Sequence, residues 1–133
     1  MGTISRFEDL ELWKTARELA LKIFNCTNVV PLANDFKFRD QLRAAAGSVM
    51  DNIAEGYERG SRLEFIQFLG FAKGSCGEVR SQLYRAVDQF YISKDKGEEL
   101  ILFYQNLAKR LAGFIQYLNK SQFKGQKYKE RSS

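Results

Sequence analysis

Apolar residues recur along this chain at intervals of three and four, the period at which side chains return to one face of an α-helix. Leu12, Ala16, Leu19, Ile23 and Cys26 follow a 4-3-4-3 spacing, and Leu10, Trp13, Ala20 and Phe24 widen the same face. They predict a first helix from near Asp9, read as its cap, to about Asn28. So broad a stripe suits a helix that touches more than one neighbour. Pro31, the only proline, falls in the following connection, where its missing N–H costs no core hydrogen bond. A second stripe, Phe38, Leu42, Ala45, Val49 and Ile53 beside Ala46, Met50 and Ala54, predicts a helix from about Lys37 to Tyr57. Its centre, Ala44 to Ser48, is built of small residues and predicts a tight crossing there. The third stripe, Phe65, Leu69, Ala72, Cys76, Val79, Leu83, Ala86 and Phe90, predicts a helix from Arg62 to about Phe90. At 1.5 Å per residue it would be roughly 40 Å long. After a turn at Tyr91, Ile92 and Ser93, a fourth helix is expected from about Lys94 to Lys120, with Leu100, Tyr104, Leu107, Leu111, Phe114 and Leu118 in step. Their period of about 3.5 favours left-handed bundle packing. With no sustained two-residue alternation and no internal repeat, the fold class is all-α, an antiparallel up-down-up-down four-helix bundle.

Polar residues break this pattern at one corner. The run Asn52-Ile53-Ala54-Glu55-Gly56-Tyr57 sets Asn52 and Glu55 into a helix patterned for burial and reads as the end of that helix. Ser61-Arg62-Leu63-Glu64 then reads as a capping box that starts the next one. Asn52, Glu55, Gly56, Ser61 and Glu64 thus form a structural corner, in which Asn52 satisfies backbone or partner groups and fixes helix register.

Two further sets lie on the third helix. Gly70, Gly74 and Gly77 lie inside it, where each costs about 0.8–1 kcal/mol relative to alanine. On a helical wheel they fall, with Ser81, opposite the apolar stripe. One reading is a weak or bent helix open to solvent. The favoured one is a subunit interface, a groove where a helix of another copy packs close. Arg62, Lys73 and Arg80, spaced 11 and 7 apart, superpose on one flank of the stripe. Such a line could track a phosphate backbone. It could equally pair with carboxylates across a helix seam, the commoner outcome in bundles.

A length of 133 residues suits one domain, here a bundle over 1–120 and a basic flexible tail over 121–133. Lys124, Lys127, Lys129 and Arg131 of that tail hold more than half of the net +5 charge. A tail of this kind contacts nucleic acid or simply keeps a protein in solution. No apolar run approaches the roughly 18 to 20 residues of a membrane span, so a soluble, cytoplasmic protein is expected. Cys26 and Cys76, 50 residues apart, are expected to be free thiols. The chain has no histidine, which removes Ser-His and Cys-His nucleophiles and His-ligated zinc. Neither Asn52 with Glu55 nor Glu78 is accompanied by a nucleophile or a phosphate-binding glycine loop. No enzyme activity, catalytic residue, metal or cofactor is expected.

In order and spacing, several segments resemble the four-helix-bundle proteins encoded by intervening sequences of bacterial 23S rRNA genes, a family similar to the accessory proteins of diversity-generating retroelements. The resemblance covers about Phe7 to Lys120. It rests on Phe7-Glu8-Asp9-Leu10 with Trp13 and Ala16, on Gln41-Leu42-Arg43 with Ala45, Ala46 and Ser48, and on Asn52 to Gly56. Beyond the corner it continues through Glu64-Phe65, Phe68-Leu69, Ala72 to Ser75, Glu78-Val79 and Gln82-Leu83. Val49-Met50-Asp51 lacks the proline that many relatives place before the asparagine. The resemblance implies a closed homopentameric ring and a scaffold or adaptor that contacts RNA, or a reverse transcriptase-type partner, through basic surfaces. The alternative is a structural protein–protein interaction module with no nucleic-acid role.

Overall fold

Each apolar stripe closes into a helix whose ends lie within two residues of those expected. The computed structural model describes residues 4–120. It contains α1 (Glu11–Thr27), α2 (Phe36–Glu58), α3 (Arg62–Asp88) and α4 (Lys94–Lys120), with 3₁₀ turns at Phe7–Asp9 and Leu32–Asn34 and no strand among the described residues. Consecutive helices pack side by side and α4 returns to α1, so the four enclose one core. Ile23, Val49, Ile53, Phe65, Leu69, Cys76, Leu83, Tyr104 and Leu111 are wholly buried there. Phe65 ties three helices together, meeting Tyr57 of α2 at 5.8 Å and Phe114 of α4 at 5.6 Å, both edge to face. Such pairs contribute about 0.5–1.5 kcal/mol beyond their burial.

The helix ends show where side-chain chemistry was misplaced. Asp9 does not cap α1. Its carboxylate pairs with Arg6 at 3.3 Å within the preceding turn, while extended Leu10 enters the helix with no side-chain cap. Leu10 is drawn into the core, which places Asp9 one residue too early to reach the first free N–H groups. Asp35 caps α2: Oδ1 accepts from the Phe38 N–H at 3.2 Å, and Oδ2 accepts from the Tyr91 hydroxyl at 2.6 Å. Those bonds, the tyrosine first, hold the Asp35 carboxyl below the usual carboxylate range.

The corner is also rearranged. The run ending at Tyr57 carries α2 one residue further, to Glu58, and Gly60, at φ 77°, makes the left-handed turn after it. Ser61 caps α3 by accepting from the Glu64 N–H at 3.3 Å, but the Glu64 carboxylate lies 3.6 Å from Arg59 instead of closing the box. At its other end α3 stops at Asp88, not Phe90. Phe90 takes the left-handed conformation (φ 60°), its N–H donating to Val87 O and the Tyr91 N–H to Ala86 O. This is a Schellman cap with phenylalanine where glycine is favoured.

The glycine of α2 that permits a close approach is Gly56, not Gly47. Nothing lies within 4 Å of where a Cβ on Gly47 would stand, because Gly47 points away from the packed seam. A Cβ on Gly56 would instead stand 2.6 Å from Phe68 Cβ and 3.1 Å from Phe65 Cδ1. A similar approach closes the far end, where a Cβ on Gly97 would overlap Val87.

Gly56→Ala should therefore destabilise the protein by about 1–3 kcal/mol despite the gain in helix propensity, because Phe68 cannot recede without shifting α3. Chemical denaturation measures it; an unchanged midpoint would mean that the seam is loose. Phe90→Gly should act in the opposite sense, stabilising by about 1 kcal/mol through relief of the left-handed backbone. A lower midpoint for that variant would show that the exposed Phe90 ring holds something the cap does not explain.

Candidate nucleic-acid interface and helix corner

The basic line divides on inspection. Arg62, at the first turn of α3, is half-buried and donates from Nη1 to Leu118 O at 3.0 Å. It thereby satisfies a carbonyl in the last turn of α4, where a cation is favourable. That makes Arg62 a structural tie and not a member of a phosphate track. Lys73 is exposed and Arg80 half-buried, and neither makes a hydrogen bond or ion pair among the described residues. Helical period places Tyr84, 59% exposed, four residues on from Arg80 on the same flank. Asp88, four residues beyond Tyr84, is the carboxylate of α3 that continues along that side. Two free cations beside an exposed ring can hold a phosphate and stack a base. The i, i+4 spacing from Arg80 was the signal for Tyr84, and it was overlooked among the apolar residues. Lys124, Lys127, Lys129 and Arg131 lie outside the described residues.

The polar corner residues do not converge on one point. Asn52 Nδ2 donates to Ser48 O at 2.8 Å and to Ser48 Oγ at 2.9 Å, and Ser75 Oγ lies 3.0 Å from the same hydroxyl. A chain of three polar side chains thus joins α2 to α3, each bond contributing about 0.5–1.5 kcal/mol. Glu55 points outward and pairs with Arg59 at 2.9 Å. Arg59 also stacks 5.0 Å above the Phe68 ring, so the exposed ion pair and the packed seam share one guanidinium. The Tyr57 hydroxyl donates to Ile4 O at 3.0 Å and ties down the chain before α1. A further tie is Arg43, which donates to Thr27 Oγ1 at 2.7 Å and Asn28 Oδ1 at 2.8 Å while lying 4.4 Å over Phe24. Its place in the family-like segment was visible, but not its role at the end of α1.

The glycines of α3 do face outward. Gly70 and Gly74 are exposed and Gly77 half-buried, with nothing within 4 Å of a Cβ built on any of them. Ser81, also exposed, lines a groove between α2 and α3.

Chemistry at the cysteines is suppressed. Both are free; burial pushes the Cys76 thiol up to about 12 and also raises Cys26, against the nearby Lys96 and Arg43. Neither is a thiolate at neutral pH. Among the described residues no group of three or more acidic or cysteine side chains is placed to hold a metal ion, and no helix is long and apolar enough to cross a membrane.

These features define a class: an antiparallel four-helix bundle whose unusual residues are spread over outward faces and helix junctions and are not gathered in a catalytic cleft. The chain belongs to the 23S rRNA-intervening sequence protein family, whose model matches residues 8–113. It is also similar to the crystal structure of a protein of unknown function from the S23 ribosomal protein family of Bacteroides thetaiotaomicron. The two share 24% identity over 79% of this chain and 95% of the other, with a TM-score of 0.73. No curated protein matches the chain.

Proposed function

We propose that this protein is a non-enzymatic, homo-oligomeric scaffold or adaptor of the cytoplasm that holds RNA, or an enzyme acting on nucleic acid, against its basic surfaces. The observation that carries this reading is the outer face of α3. Three glycines lie there uncovered on a 27-residue helix, together costing roughly 3 kcal/mol of helix propensity, with open space among the described residues where a Cβ would stand on each. A helix of a neighbouring copy laid across Gly70, Gly74 and Gly77 would supply that contact. A head-to-tail interface repeated around an axis closes into a ring, and five copies is the number that the family resemblance favours. Lys73, Arg80 and Tyr84, on the next flank, would remain accessible beside such an interface. The family's rRNA-intervening name supports, without establishing, a nucleic-acid setting.

Gly74→Leu should reduce the mass in solution to that of a single chain, measured by sedimentation equilibrium; an unchanged mass removes α3 from the interface. Titration with a structured RNA at two salt concentrations tests the second half. Affinity should fall steeply with salt, and replacing both Lys73 and Arg80 by Gln should lower the salt slope by roughly one per residue. No binding at low salt would leave a protein–protein interaction module with no nucleic-acid role.

A further inference from the structure

The groove between α2 and α3 has a volume of about 570 Å³ and is lined by polar side chains, four of which make no hydrogen bond or ion pair among the described residues. Its floor is Ala44 and Ala45; around it stand Gln41, Ser48, Glu78, Ser81, Gln82 and Arg85. Gln82 is the decisive member. It is only 6% exposed, yet its carboxamide makes no hydrogen bond with any described residue, and Oε1 is buried without a partner. Buried amides in native proteins are nearly always satisfied; here Oε1 is enclosed, so Nε2 is the end of the amide that an occupant of the groove can meet. Rotation about its last bond offers either the oxygen or the nitrogen at the groove. Gln41, Glu78 and Ser81 are exposed and likewise have no hydrogen-bond or ion-pair partner among the described residues. Arg85 lies with its guanidinium 4.7 Å over the Phe38 ring, with its N–H donors otherwise free. Ser48 Oγ accepts from Asn52 and Ser75, so its own hydrogen is left to donate.

The chemistry of this set narrows the occupant. One carboxylate and one guanidinium cancel, so the groove has no excess charge for a phosphate, and Glu78 would repel one. An apolar helix laid over it would strip water from an unpaired carboxylate and from two amides, which is strongly unfavourable. A flat, neutral ring bearing several donors and acceptors fits both the small-residue floor and the polar rim. Among nucleobases only guanine offers two adjacent edge donors, N1–H and N2–H, to a carboxylate, together with O6 and N7 as acceptors for an arginine. We propose that the α2–α3 groove binds a guanine base, with Glu78 on the donor edge, Arg85 on O6 and N7, and the Gln82 amide paired at the buried side of the ring. This goes beyond the basic-flank reading, since it uses a different side of α3 and no phosphate contact.

The test is calorimetric titration of the full chain with GMP, AMP, CMP and UMP. GMP should saturate at one site per chain and bind about tenfold or more tighter than the other three. Glu78→Gln should reduce that preference about tenfold, because an amide replaces the paired acceptors with one. Gln82→Leu should weaken GMP about tenfold while raising the thermal midpoint, since an unpaired buried amide has been removed. Absence of GMP binding, equal binding of all four nucleotides, or wild-type selectivity in both variants would overturn the proposal. A single-stranded oligonucleotide with one guanine, compared with its guanine-free counterpart and with GMP, tells whether the base arrives on a strand or as a free nucleotide; either result supports the site. The Lys73→Gln, Arg80→Gln double variant should keep its GMP preference. If the salt-dependent RNA binding fails while that preference persists, only the basic-flank reading falls.

Discussion

The missing side chain at Gly56 is the constraint on which the bundle is built. Only a hydrogen at that position lets Phe68 come so close to α2 that its Cβ lies 2.6 Å from where a methyl group would stand. With α3 drawn in, Phe65 reaches the core and meets Tyr57 and Phe114, which joins α2, α3 and α4 through one ring. The short connection follows from the same demand: Gly60 reverses the chain and Ser61 restarts it as a helix within two residues. From that fixed point the helical rise sets which residues meet further along. Ser75 arrives opposite Ser48, where their bond favours this register of the two helices by about 0.5–1.5 kcal/mol.

The existence and extent of the four helices were legible because burial on one side of a helix leaves a period that local sequence records directly. The ends were less so. Asp9 has the chemistry of a cap, but the burial of Leu10 decides where the helix starts, and burial is a property of the whole fold. Asp35 caps α2 through a local bond to Phe38, three residues on, while its second bond, to Tyr91 56 residues away, is the part that local sequence does not record. The small residues at Ala44 to Ser48 suggested a tight crossing because size is visible in sequence while direction is less so. Gly47 points out, and the glycine that permits close approach is Gly56, within the run read as the end of the helix.

Candidate surface residues divide along a similar line. Lys73 and Arg80 share the flank that their spacing assigned, and neither is paired with a carboxylate among the described residues. Arg62 shares their helical angle but sits where α4 ends, so a carbonyl claims it. Helical spacing gives the angle of a side chain about one axis; it carries no information on what the next helix presents at that height. The same limit explains Arg43, whose partners lie 15 and 16 residues back at the end of α1.

Helix α3 shows most clearly why the protomer does not explain its own sequence. Its inner side is closely packed, and its two flanks are held by Ser75 to α2 and by Arg62 to α4. A helix so anchored could carry alanine at Gly70, Gly74 and Gly77 without a clash, each change gaining about 0.8–1 kcal/mol. It could equally carry leucine at Gln82, relieving a buried amide that has no partner. Stability of the single chain thus favours other residues at all four positions. Close backbone approach from outside is what glycine permits and alanine resists, while a paired amide requires a partner with polar edges. The two requirements differ in kind, and they lie on adjoining sides of one helix, so a single occupant would not meet both. Assembly over the glycines and a small polar ligand in the groove beside them are compatible demands on α3.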